Sequence, residues 1–162
     1  MRSLLIALIA AAAGCGSSID LSSGLGSCSM QVTVKGGAAQ TVSCIAEGVS
    51  GSTNAVNISM TGSLPDVSAA GLLITLAAPP TAGTYGPANV ADSGGTVALK
   101  NTNAKWVESQ NQGSFQVVLT TVTAVGTQQG GTAYALRGSM TATLLPQPGT
   151  AASGNATISA SF

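Results

Sequence analysis

The stretch Asn155-Ala156-Thr157-Ile158-Ser159-Ala160-Ser161-Phe162 alternates without a break. Successive side chains of an extended chain point to opposite faces, so Ala156, Ile158, Ala160 and Phe162 share one side while Thr157, Ser159 and Ser161 share the other. The pattern predicts a strand over 155–162 that sits inside a sheet, with Phe162 buried. Reading back from it, the same period recurs. Tyr134, Leu136, Met140, Ala142 and Leu144 form a two-residue stripe interrupted at Gly138 and ended by Pro146 and Pro148. Phe115, Val117 and Leu119 open a Thr- and Val-rich run that ends near Gly126, and Val97 with Leu99 follows Gly94-Gly95. Leu72-Leu73-Ile74-Thr75-Leu76 reads as a continuous apolar strand stopped by Pro79-Pro80, and Val56, Ile58 and Met60 alternate with Asn57 and Ser59. Gly, Pro, Asn and Ser clusters separate these runs, as turns separate the strands of an antiparallel sheet.

Helix signals are weak, because opposite charges four residues apart are scarce and β-branched residues dominate. The reading is all-β, an antiparallel β-sandwich of about eight strands over residues 28–162. Two packed sheets suit strands of this number and length better than a closed barrel around a ligand cavity. The immunoglobulin pattern is not met, since Cys28 and Cys44 lie too close in sequence to staple distant strands around a core Trp.

Composition limits what the domain can do. The chain has 162 residues, a formal net charge of +0, and only 6% charged residues, against about 25% in ordinary soluble domains. Length fits one domain. Lys35, Lys100, Lys105 and Arg137 are scattered, so no basic face exists for a phosphate backbone and no nucleic-acid partner is expected. Histidine is absent, which removes the commonest general base and transition-metal ligand. With 44% hydrophobic residues the chain is unlike a disordered one.

The N-terminal segment has its own logic. Arg2 precedes an uncharged run whose core, Leu4-Leu5-Ile6-Ala7-Leu8-Ile9, passes through Ala10 to Ala13 into Gly14-Cys15-Gly16. A positive end, a short apolar stretch and small residues make a secretory signal over 1–14, too short to span a bilayer, which takes about 20 apolar residues. Ala12-Ala13-Gly14-Cys15 resembles the lipobox of bacterial lipoproteins, departing from it by Ala12 where Leu is commonest. The resemblance implies that the leader is cut before Cys15, that Cys15 carries diacylglycerol on sulfur, and that its amino group is acylated. Each buried CH₂ contributes about 0.8 kcal/mol, so two or three acyl chains hold a protein stably on a membrane. Gly16 follows the cysteine where inner-membrane retention is associated with Asp, which points to the outer membrane of a double-membraned bacterium. Residues 15–27 then form the lipidated end and a tether; in 16–27, eight of twelve residues are Gly or Ser, a flexible coil spanning roughly 20 Å. The stretch from Gly113 to Phe162 is similar in texture to uncharacterised Gly-, Ser- and Thr-rich bacterial lipoproteins, and carries no site from them.

If Cys15 carries lipid, Cys28 and Cys44 remain as an even pair in an oxidising compartment, and a disulfide is expected. Cys28, Met30, Val32 and Val34 alternate with polar residues, Val42, Cys44 and Ala46 make a second such face, and Gly36-Gly37-Ala38-Ala39 is the turn between them. Two thiols with no His cannot fill a tetrahedral zinc shell, so no metal is expected there.

No arrangement for catalysis is legible, and no enzyme activity or cofactor is expected. GxSxG, SxxK, P-loop and GxGxxG patterns are absent. Asp20, Glu47, Asp66, Asp92 and Glu108 are dispersed and read as loop-solvating acids; Asp66 or Asp92 with loop carbonyls is a weak calcium candidate. Lys35 and Lys105 read as edge-strand charges. Asn57 and Asn155 match a glycosylation acceptor and read as ordinary strand residues. Tyr85 and Trp106 are the candidate ligand-binding residues: a flat ring in the amide-rich run 101–112 could stack on a sugar, although a lone Trp is more often a core anchor with its N–H bonded. The functional expectation is therefore a membrane-tethered, non-enzymatic structural or interaction domain with an envelope protein or glycan as partner, the alternative being a module that binds carbohydrate or another envelope component.

Overall fold

The computed structural model describes residues 28–50, 55–62, 67–77, 79–100, 102–109, 112–128 and 131–162. Residues 1–27, with the expected signal, Cys15, Asp20 and the expected tether, lie outside them, as does Asp66. Among the described residues ten strands are present: β1 (Cys28–Val34), β2 (Gln40–Ser50), β3 (Ala55–Gly62), β4 (Val67–Ala77), β5 (Gly83–Tyr85), β6 (Asp92–Leu99), β7 (Lys105–Ser109), β8 (Ser114–Gln128), β9 (Gly131–Pro146) and β10 (Ala156–Ser161). Among the described residues there is no helix.

All pairings are antiparallel, in one sheet of order β10-β1-β2-β3-β4-β6-β7-β9-β8-β5. β9 also pairs with β10, so β10, β1, β2, β3, β4, β6, β7 and β9 form a hydrogen-bonded circuit of eight strands. The all-β antiparallel reading holds, and two opposed layers around a side-chain interior are compatible with this circuit. β5 and β8 lie outside it. Closure is possible because β9 has 16 residues and serves several neighbours in turn. One edge carries β7 at Leu145–Pro146 and β8 from Gly131 to Thr143; the other carries β10 from Ser139 to Leu144 and β2 at Ala133–Tyr134.

Directly paired residues share a face, which makes the interior readable from the register. Met30 pairs with Ala160, Ala160 with Met140, and Met140 with Val117, setting large residues beside small ones. Val32, Ile158, Ala142 and Phe115 make the next row, and all eight of these side chains are buried. Each large aliphatic side chain so removed from water stabilises by about 1.5–3 kcal/mol. β10 is held on both sides, by β1 and β9, and Phe162 is buried; its N–H donates to the Gly138 carbonyl at 3.0 Å and its carbonyl accepts from the Gly138 N–H at 2.7 Å. That is the paired terminal strand the alternation predicts.

Gly138 interrupts its stripe for a steric reason. β8 has a register shift between Leu119 and Thr121 opposite Gly138 and Arg137, and a Cβ at 138 would overlap the Val118 carbonyl oxygen. The β1–β2 turn places Lys35 at φ 52° and Gly36 at φ 68°, with the Gly37 N–H donating to Val34 O at 2.9 Å. Two expectations need correction. Lys35 lies in that turn, and Lys105 opens β7, which is paired on both sides; neither is an edge-strand charge. Leu72, Ile74 and Leu76 are buried, but Leu73 is 46% exposed, so β4 is an ordinary two-faced strand rather than a continuously apolar one. Strand pairing fixes the face of Leu73 whatever its polarity.

Candidate functional site

Trp106 and Tyr85 do not meet on a shared surface. Trp106 lies on the inward face of β7 between Ala104 and Glu108, is 2% exposed, and its indole N–H donates to the Gly154 carbonyl at 2.9 Å. A ring so enclosed offers no platform to a sugar; it anchors the loop before β10 against β7. The same loop is tied down elsewhere, by Gln147 N–H to Lys105 O at 2.9 Å and by the Thr150 hydroxyl to Gln147 O at 2.8 Å.

Tyr85 is half-buried at the end of β5, beside a hollow of about 280 Å³ lined by Thr84, Tyr85, Gly86, Asn89, Phe115 and Gln116 among others. Its hydroxyl donates to Thr81 O at 2.7 Å, the Asn89 amide donates to Thr84 O at 2.9 Å, and the Asn89 Oδ1 accepts from the Gly86 N–H. These bonds shape the segment that joins β4 to β6, and the pairing of Gly83–Tyr85 with Leu119–Val117 seats it on β8. A second hollow, of about 490 Å³, is lined by Thr33, Lys35, Gly36, Gly154, Asn155 and Thr157. Asn155 belongs to this rim, just before β10, while Asn57 lies within β3.

The disulfide is present: Cys28 and Cys44 face each other in the β1–β2 register, with their Cα atoms 4.9 Å apart. Asp92 is exposed, and its Oδ1 accepts from the Ser93 N–H. Among the described residues no group of three or more His, Cys, Asp or Glu could hold a metal ion.

One site residue departs from its sequence reading. Glu108, taken above for a loop-solvating acid, is 2% exposed on the inward face of β7. Its Oε1 accepts from the Ser93 hydroxyl at 3.0 Å, and its Oε2 is buried with no hydrogen-bond partner among the described residues. Its cross-strand partner, Gly95, leaves room for it: a Cβ at 95 would stand 3.0 Å from the Glu108 Cβ, with Leu72 and Leu144 methyl groups just beyond. Burial pushes the carboxyl pKa up; the Ser93 hydrogen bond opposes this and the Asp92 carboxylate adds to it. The signal was available in the sequence, because Ala104, Trp106 and Glu108 are two residues apart and a buried Trp commits both neighbours to its side.

The chain matches no family model, no curated protein and no solved structure.

Proposed function

We propose that this chain is a membrane-anchored envelope lipoprotein, held by acyl chains on Cys15, whose domain over 28–162 acts as a non-enzymatic structural or interaction module. The observation that carries the reading is Ala12-Ala13-Gly14-Cys15 behind a short apolar leader and ahead of a Gly/Ser tether. The Cys28–Cys44 disulfide supports it, because such bonds persist in exported, oxidising compartments. A domain carrying almost no charge also tolerates a tethered existence better than free solution, where weak mutual repulsion invites association. The partner in this reading is another envelope component.

Intact-mass analysis of the mature N-terminus, with membrane fractionation, tests this. The expected product begins at an acylated Cys15 in the outer membrane, and Cys15→Ala leaves the precursor unprocessed or releases the domain. An unmodified Cys15, or cleavage at another residue, overturns it.

A further inference from the structure

The hollow of about 490 Å³ sits at the end of β1 away from Cys28, about 20 Å along the strand. Two threonines on the outer faces of paired strands make its floor, Thr33 of β1 standing opposite Thr157 of β10. Its walls are the β1–β2 turn, with Lys35 and Gly36, and the segment before β10, with Gly154 and Asn155. Both walls are tied down. The Lys35 N–H donates to the Asn155 carbonyl at 3.0 Å, and the buried Trp106 indole donates to the Gly154 carbonyl at 2.9 Å. The aliphatic stem of Lys35 runs along Gly154, its Cγ 3.5 Å from where a Cβ would stand there. Lys35 itself holds φ 52°, a left-handed conformation uncommon outside glycine, and among the described non-glycine residues it alone does so. Among the described residues no carboxylate lines the hollow, and the Lys35 ammonium is the one charge in it.

We propose that this hollow binds an acidic sugar residue of an envelope polymer, its one carboxylate on the Lys35 ammonium and its ring hydroxyls on Thr33, Thr157 and Asn155. The inference rests on the reading of the partner as an envelope component. Each part of the ligand answers a feature of the lining. One cation with no counter-charge beside it calls for one negative charge. Two hydroxyls and an amide donate and accept alike, as the hydroxyls of a sugar do. The volume lies within the range of small-molecule sites, about 300–1,000 Å³, so a lone carboxylate would leave most of it empty. Position selects a polymer over the anchoring membrane, because the tether of that reading joins the domain at Cys28 and the hollow lies at the opposite end of β1.

NMR titration of the full chain with glucuronate tests this, with glucose and acetate as comparison probes. Glucuronate should shift the amide signals of Thr33, Lys35, Gly36, Gly154, Asn155 and Thr157 to saturation. Glucose lacks the charge and acetate lacks the ring, so each should bind about tenfold more weakly or worse. Lys35→Gln should weaken glucuronate binding about tenfold. Lys100→Gln, which removes the same charge outside the hollow, should leave it unchanged. Shifts that are absent or lie elsewhere, glucose or acetate matching glucuronate, or equal weakening by both variants overturns the proposal. The probe comparison on the wild type decides even if the Lys35→Gln chain fails to fold. No titration reads Cys15, so an empty hollow leaves the acyl anchor standing, while an unmodified Cys15 overturns the anchor alone.

Discussion

Glu108→Gln should alter how the fold responds to pH, and the direction follows from the side chain's surroundings. The substitution keeps the volume and an acceptor for the Ser93 hydroxyl, and removes the ionisation. Burial first, and the Asp92 carboxylate behind it, hold the Glu108 pKa above its ordinary value of 4.5 despite the Ser93 bond. The folded protein therefore keeps a proton that the unfolded chain releases. Stability relative to the Gln variant is greatest below the ordinary carboxylate pKa, falls as pH rises through the interval above it, and levels off once the folded-state pKa has been passed. The size of the fall is set by Oε2, which is buried with no hydrogen-bond partner among the described residues. An unsatisfied buried group costs about 1–3 kcal/mol, more when charged, so the gap between the proteins should open by about that amount. Urea unfolding with the disulfide intact, repeated from about pH 4 upward, reads it as a midpoint difference growing to about 1 M. Parallel curves for the two proteins, or a wild type that gains on the variant as pH rises, would refute the reasoning.

Gly138→Ala should destabilise by about 1–3 kcal/mol or more, since the new methyl group overlaps the Val118 carbonyl while both backbone groups of residue 138 are held by Phe162; thermal melting measures it, and an unchanged transition would show that the β8 shift is not fixed. Replacing both Cys28 and Cys44 by Ser should lower stability by about 2–5 kcal/mol. Denaturant titration gives the value, and thiol labelling of unfolded wild type should find neither sulfur free. Deleting residues 156–162 strips β1 and β9 of a shared neighbour and uncovers their inner faces, so cooperative unfolding should be lost by circular dichroism; a truncated chain that keeps its transition contradicts the central place given to β10.

Much of the strand content could be read in the sequence because a half-buried strand writes its burial as alternation. Residues 156–162, 28–34 and 140–144 are cases in which one face is apolar and the other hydroxyl-rich. The pairing of strands distant in sequence could not be read, because alternation says which residues turn inward and nothing about which strand lies beside them. The return of β9 to β10, and its sharing between β7, β8 and β2, depends on a strand long enough to change neighbours, which no local pattern encodes. Leu73 and Glu108 fail for a common reason. Each was assigned by its own polarity, whereas pairing had already fixed its face: Leu73 outward between Leu72 and Ile74, Glu108 inward two residues after Trp106. Trp106 is the opposite case: despite its polar neighbours a lone Trp reads more readily as a core anchor with its N–H bonded, and it is buried with that N–H on the Gly154 carbonyl. The disulfide was legible because two of three cysteines fell on inward faces of adjacent strands joined by one turn.

The position of Cys28 has a mechanical consequence. It is the first residue of β1, so any load travelling along the chain from the preceding segment enters the domain there. A strand loaded at its end peels from its neighbours one hydrogen bond at a time. Here the first residue is bonded covalently to Cys44, at the point where β2 passes from pairing with β1 to pairing with β3. Tension at Cys28 is therefore divided at once between β1, backed by β10, and β2, backed by β3, and the hydrogen bonds between β1 and β2 are spared from opening in sequence. Reduction of that one bond would change the domain from one that must fail as a block into one that unzips from Cys28.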